Sequence, residues 1–275
     1  MSSTAAPIHQ HESIRGVAPA PLRLTAVIPN LFVVPAFNEE ANLPRLLADL
    51  EARPNLFPVG SRVIVVDDGS SDNTLQILEA YDGPLTLEIV ALGSNHGPGC
   101  AFRAGFAAAL AGSKTSEAYV ITLEADTTSD LDALNEMLAC ADGGCDLVLA
   151  SVHGGGAMLN VSLLRRFLSR AAGVVVRFAL GLDARTVSSF FRVYRLSTLR
   201  QAQLVYGDQL IRETGFACKA ELLAKIAALG ASIDEVPVDL DGSKRVGPSH
   251  MSLLPTLGGY WRLMHHRPAK VAANA

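Results

Sequence analysis

No stretch of this 275-residue chain reaches the roughly 18 uninterrupted apolar residues that a membrane-spanning helix needs. The best run, AAGVVVRFALGL from Ala171 to Leu182, is too short and carries Arg177. The N-terminus lacks a basic region followed by an apolar one, so no secretory signal is evident, and residues 1–26, rich in Ala, Ser, Pro and His, are expected to form a flexible leader. Cysteine is scarce. Cys100, Cys140, Cys145 and Cys218 show no CxxC pairing and no histidine at zinc spacing, which predicts reduced, mostly buried thiols of a cytosolic protein. An excess of positive charge is also missing: 23 basic residues face 27 acidic ones, giving −4, which argues against nucleic acid as a partner. The expectation is a cytoplasmic protein, at most peripheral at the inner face of the cell membrane.

Several signatures of nucleotide enzymes are absent as well. In GSNHGPGCAFRAG, Gly97 and Gly99 are followed by Phe102 where GxGxxG requires glycine, and the loop follows the third apolar run instead of the first. There is no Walker A sequence and no GxSxG elbow.

What is present is an α/β alternation in a chain that is 49% hydrophobic and 18% charged, ample for a sizeable core. LFVVPAF, RVIVVDD, LTLEIVAL, AYVITLEAD and DLVLAS alternate with helical patterns. Val and Ile runs without polar alternation predict strands buried on both faces, with helices crossing between parallel strands. Residues 27–151 are thus expected to form one doubly wound α/β half, 152–252 a second half of the same domain, and 253–275 an amphipathic helix and tail. A long helical pattern from Met158 to Leu182, a strand at SSFFRVYRL, a helix at CKAELLAKIAALG and a strand at SIDEVPVDL complete the second half.

Two apolar runs end on acids. IVVDDGSSDNT stops at Asp67 and Asp68, and AYVITLEADTTSD at Glu124 and Asp126. Either could be turn chemistry alone, but two acid-ended strands in one α/β pattern predict a cleft at one edge of the sheet. Glu124 and Asp126 offer hard oxygen ligands suited to Mg²⁺ or Mn²⁺ on a diphosphate.

The order of these segments resembles the family 2 glycosyltransferases of GT-A fold, and within them the dolichyl- or polyprenyl-phosphate mannosyltransferase-like group. VVPAFNEEANLPRLL, VIVVDDGSSDNT, GPGCAFRAGFAAA, EADTTSD, VSSFFRVYR, GFACKAELLAK and EVPVDLDGSKRVGPSHM carry the resemblance in family order. It implies a Rossmann-like, mostly parallel sheet flanked by helices in a single domain. It also implies an inverting transferase moving a sugar from GDP-mannose or a UDP-sugar to a polyprenyl phosphate, metal dependent. Pro35, Ala36, Phe37, Glu39, Asp68, Gly97, Arg103 and Ala125 would border the donor, with Asp68 on the nucleobase. Glu124, Asp126 and Thr128 would lie at the metal, and Arg165, Lys244, Arg245, Ser249 and His250 would face the acceptor phosphate, Asp126 and Arg165 being catalytic. Arg166 is a further candidate at the phosphate, and Glu221 a buried structural acid.

The chain departs from the family pattern at Glu124 for the first acid of DxD, Val152 for an arginine, and His250 for a lysine. These departures leave open a soluble hydroxyl acceptor, or a degenerate nucleotide-sugar-binding module.

Overall fold

The computed structural model describes residues 27–113, 117–152, 158–159, 173–174, 177–178, 180–181, 184–187, 189–247 and 253–265. Strand and helix alternate through β1 (Asn30–Ala36), α1 (Leu43–Glu51), β2 (Arg62–Asp67), α2 (Thr74–Glu79), β3 (Leu87–Ala91), α3 (Pro98–Gly112), β4 (Tyr119–Thr122), α4 (Leu134–Asp142) and β5 (Leu147–Ser151). There follow β6 (Met158–Leu159), β7 (Arg192–Arg195), α5 (Leu196–Tyr206), α6 (Cys218–Ala228), β8 (Ile233–Pro237), β9 (Leu240–Asp241) and α7 (Leu253–His265).

Seven strands form one mixed sheet in the order β3-β2-β1-β4-β7-β5-β8, and β6 pairs with β9 apart from it. Only β7 is antiparallel to its sheet neighbours, β4 and β5. All other strands of the large sheet therefore end on the same edge.

The unbroken apolar strands have the burial that their composition demands. Successive side chains point to opposite faces, and both faces are covered. Leu31, Val33, Ile64 and Val66 pack with Phe102 and Phe106 of α3, Leu199 of α5 and Leu223 of α6. Phe32, Val34, Val63 and Val65 pack on the other face with Leu43 and Leu47 of α1 and with Leu134 and Met137 of α4. Helix α3 approaches the sheet closely at Gly105, where an added Cβ would sit 2.4 Å from Val33 Cγ1 and 3.2 Å from Val66 Cγ2.

The expected doubly wound, mostly parallel sheet is present, as are the strand, helix and strand expected after Phe190. The long helix expected from Met158 does not begin there, because Met158 and Leu159 form a strand in register with Leu240 and Asp241. Residues 173–174, 177–178 and 180 are helical, and the rest of that pattern lies outside the described residues. The cysteines are free, but the expectation of mostly buried thiols is corrected: only Cys218 is buried, and Cys100, Cys140 and Cys145 are partly exposed. Helix α7 splits its apolar residues, with Tyr260 and Leu263 buried and Leu257 and Trp261 exposed. Among the described residues no helix is long and apolar enough to cross a membrane.

Gly105→Ala is expected to destabilise the fold by about 1–3 kcal/mol, the usual cost of overpacking a filled core. Urea denaturation followed by circular dichroism measures it, and an unchanged midpoint would refute the close approach of α3.

Candidate functional site

The carboxyl ends of the parallel strands place the acids together on one edge. Ala36 is paired with Asp67, so Phe37 and Asp68 leave β1 and β2 side by side. Val33 is paired with Thr122, so Glu124–Asp126 extends beyond the end of β4 next to them.

The loops after β1 and β2 are cross-linked into one rim. Asn38 N donates to Ser70 Oγ (2.9 Å), Ser71 N donates to Asn38 Oδ1 (2.8 Å), and Glu39 N donates to Thr74 Oγ1 (2.8 Å). Asn38 sits at φ 56°, a left-handed conformation that Asn tolerates. Within this rim Ala36 is buried, while Pro35, Phe37 and Glu39 are half-buried.

Asp68 is buried and spends both oxygens on the loop after β3, accepting from His96 N (2.8 Å) and Gly97 N (2.8 Å). Burial raises its carboxyl above the usual carboxylate range, against the two N–H groups that pull it down. Its first task is to hold that loop, so any contact to a ligand would use its remaining lone pairs. Asp67 likewise caps its own turn, accepting from Ser70 N at 3.2 Å.

Asp126 is 1% exposed. Its Oδ1 accepts from Thr128 N (3.0 Å) and Thr128 Oγ1 (2.7 Å). Its Oδ2 meets the guanidinium of Arg245 in an ion pair. Ala125 is buried and Glu124 half-buried beside it. Between Asp126 and Thr128, Thr127 has φ 62°, a conformation that costs a β-branched residue strain. The Thr127 hydroxyl offsets this by donating to Lys244 O (3.0 Å).

That bond is one of four that fasten the 244–246 segment over Asp126. Arg45 Nη1 donates to Lys244 O (2.7 Å), Asn42 Nδ2 to Val246 O (2.9 Å), and Val246 N to Asn42 Oδ1 (2.8 Å). Asn42, Arg45 and Thr127 were not among the residues singled out from sequence. Asn42 lies inside the FNEEANL segment, but its partner is 204 residues away.

On the other side of the cleft, Gly99 N donates to Thr214 O (2.7 Å), and an added Cβ at Gly99 would meet Glu213 O at 1.9 Å. Arg103 is exposed and ties the same segment through Ile211 O (3.4 Å). Thr122 Oγ1 donates to Phe190 O, and Arg192 Nη2 to Val187 O (3.1 Å), fixing the segment that enters β7. Glu221 is buried, accepts from Arg212 N and Glu213 N, and pairs with Lys225 at 2.5 Å. Glu213 in turn is bridged by Arg262 at 2.6 Å. Val152 is 9% exposed and belongs to the core, so no cation stands at that position. Arg165, Arg166, Ser249 and His250 lie outside the described residues.

The structure thus brings Asp68, Gly97, Glu124, Ala125, Asp126, Thr128, Lys244 and Arg245 to one edge. The sequence model described as "Glycosyl transferase family 2" matches residues 31–202, more than half of the chain. The chain belongs to glycosyl transferase family 2. Polyprenol monophosphomannose synthase of Mycolicibacterium smegmatis is 28% identical to this glycosyltransferase over 247 residues, 88% of each chain. Undecaprenyl-phosphate mannosyltransferase of Micrococcus luteus is 30% identical over 226 residues, 81% of this chain and 87% of that one. Among solved structures, glucosyl-3-phosphoglycerate synthase of Mycobacterium tuberculosis superposes with a TM-score of 0.57 at 20% identity, covering 87% of this chain and 76% of that one. That likeness shows the fold, which is GT-A. The Mycobacterium structure holds Mn²⁺, uridine diphosphate and phosphoglyceric acid.

Asn42→Ala removes both side-chain bonds to Val246 and is expected to loosen the 244–246 segment. Limited trypsin digestion at Lys244 and Arg245 should then run at least about tenfold faster than in the unaltered enzyme, since about 1.4 kcal/mol of local opening is a factor of ten. An equal cleavage rate would show that Arg45 and Thr127 hold the segment by themselves.

Proposed function

We propose that this family 2 glycosyltransferase moves a sugar from a nucleoside diphosphate donor to a polyprenyl phosphate at the edge that carries Asp126, with a divalent cation. The observation that carries the proposal is the Asp126 carboxylate, buried beyond the end of β4 beside Glu124 and held in place by Thr128 on one oxygen and Arg245 on the other. Two carboxylates at a strand end suit a hard divalent cation, so the residues fit Mg²⁺ or Mn²⁺ once Arg245 leaves Asp126 Oδ2 for the acceptor phosphate. Asp126 and Glu124 would hold it, with Thr128 orienting Asp126 through Oδ1. When bound, the ion supplies positive charge against the leaving diphosphate.

The names of two relatives, which specify polyprenol and undecaprenyl phosphate, support this acceptor class, and so does the pairing of two acids, Glu213 and Glu221. Glu213 is engaged by Arg262 and Glu221 by Lys225, so neither is poised to deprotonate a hydroxyl. A phosphate acceptor needs no such base. Its oxygen attacks the anomeric carbon as the bond to the diphosphate breaks, with inversion, and no proton has to move. What it needs is cations, and Lys244 and Arg245 sit on the segment fastened at the site. Arg165, Ser249 and His250 are assigned to the same phosphate, and Asp68, Pro35, Ala36, Phe37, Glu39, Gly97 and Arg103 to the donor. GDP-mannose and UDP-sugars are the donors to test. Leu257 and Trp261, exposed on α7 beside Arg262, suit contact with a membrane surface at the inner face of the cell membrane.

A second reading, a soluble hydroxyl acceptor, is favoured by Val152, which places a buried apolar side chain where the family resemblance expects an arginine. Transfer assays with GDP- and UDP-sugars, offered a short-chain polyprenyl phosphate or the matching alcohol, separate the two. Product from the phosphate alone is expected, and product from the alcohol alone would move the assignment to the second reading.

Asp126→Ala should lower transfer on the order of a thousandfold, the several kcal/mol of charge stabilisation supplied at such a site, while circular dichroism stays native. Full activity after exhaustive EDTA treatment would overturn the metal assignment.

A further inference from the structure

Away from this cleft, a second set of metal-binding atoms converges at the opposite edge of the sheet. Cys140 lies in the last turn of α4, Cys145 in the connection into β5, and Asp234 in β8. The Sγ atoms of Cys140 and Cys145 are 3.1 Å apart, and Cys140 Sγ is 3.5 Å from Asp234 Oδ2. All three donor atoms lie within 4.8 Å of one another. Around a tetrahedral zinc with bonds of about 2.3 Å to sulfur and 2.0–2.2 Å to oxygen, ligand atoms stand roughly 3.5–3.8 Å apart. Shifts of a few tenths of an ångström to about 1 Å would convert the present arrangement into that one.

Chain connectivity explains only part of this. The Gly143–Gly144 turn folds Cys145 back so that its N–H reaches Cys140 O at 3.4 Å, which brings the two thiols together. Asp234 comes from a different strand, paired with Val148 of β5. Its Oδ1 accepts from Glu235 N (2.8 Å), its Oδ2 is left toward the sulfur, and among the described residues it makes no ion pair. The end of α4 carries the negative pole of its helix, which draws positive charge. Arg195 already answers that field, but through the carbonyl oxygens of Ala141 and Cys145 and not through the three donor atoms.

We propose that Cys140, Cys145 and Asp234 bind one thiophilic divalent cation of the zinc class, with water at the fourth position on the exposed side. On binding, two S–H bonds are exchanged for two metal–sulfur bonds and one metal–oxygen bond forms, two protons passing to solvent. Without a metal, burial and its anionic neighbours push the Cys140 thiol up to about 12; coordination reverses that balance, because a cation favours the thiolate. The ion would fasten α4 to β5 and β8, with its anchors far from the chemistry at Asp126. It is a structural clasp, independent of the donor-site metal.

The test uses the full chain, kept reduced with a phosphine, stripped of metal and then given excess Mg²⁺ to occupy hard oxygen sites. Titration with Co²⁺ should give one equivalent bound with thiolate-to-metal charge-transfer absorption, displaced by Zn²⁺, and Zn²⁺ should raise the melting temperature. Cys140→Ser and Cys145→Ser should abolish that absorption. Asp234→Asn should weaken binding at least about tenfold, and Asp126→Ala should leave it unchanged. Absence of the absorption, or equal absorption in a Cys140→Ser/Cys145→Ser double variant, overturns the site. So does a chain that closes a Cys140–Cys145 disulfide in air and binds no Co²⁺ once reduced.

Discussion

The charge on Asp126 is almost wholly removed from water, and the arrangement of the cleft depends on how that charge is met. One oxygen is held by Thr128, and the other faces the guanidinium of Arg245. A buried carboxylate without a counter-charge is among the most costly features a fold can contain. Arg245 has to be brought there, and it is brought by a segment that Asn42, Arg45 and Thr127 fasten through hydrogen bonds to Lys244 and Val246. The strained backbone at Thr127 belongs to the same construction, since in that conformation its hydroxyl donates to Lys244 O.

The edge of the sheet where this happens is itself a product of strand direction. Parallel strands deliver their carboxyl ends to one side, and the crevice there is the usual ligand site of an open α/β sheet. The reversed β7 returns the chain to the cleft at Phe190 and Phe191, which the Thr122 hydroxyl and the buried Arg192 fix in place. Both walls of the cleft are thus tied to the same rigid strands, while Glu221 and Lys225 form a buried ion pair.

Polar side chains do most of the loop-to-loop fastening. Asn38, Glu40, Ser70 and Asp72 join the loops after β1 and β2, and Asp68 joins the loop after β3 to both. The acid-rich DDGSSDN segment therefore serves order first. Its carboxylates accept from backbone N–H groups of three loops, part-buried at Ser70, His96 and Gly97 and exposed at Glu40.

The sequence alone determined the doubly wound sheet, because unbroken runs such as Phe32–Val34 and Val63–Val66 are stable only when buried on both faces. It also placed the acids at strand ends, because register and length are local properties, and the ordered segments pointed to the family. It missed the short pairing of Met158–Leu159 with β9, where two residues carry no periodicity. It placed Lys244 and Arg245 beside a phosphate but gave no sign that Arg245 would meet Asp126, nor that Asn42 would hold Val246. It likewise treated Cys140 and Cys145 as unrelated to Asp234, which lies close only because β5 and β8 are neighbours. Hydrophobic period and turn chemistry are written in adjacent residues, whereas polar contacts between groups 94 or 204 positions apart are decided only when the elements that carry them are packed together.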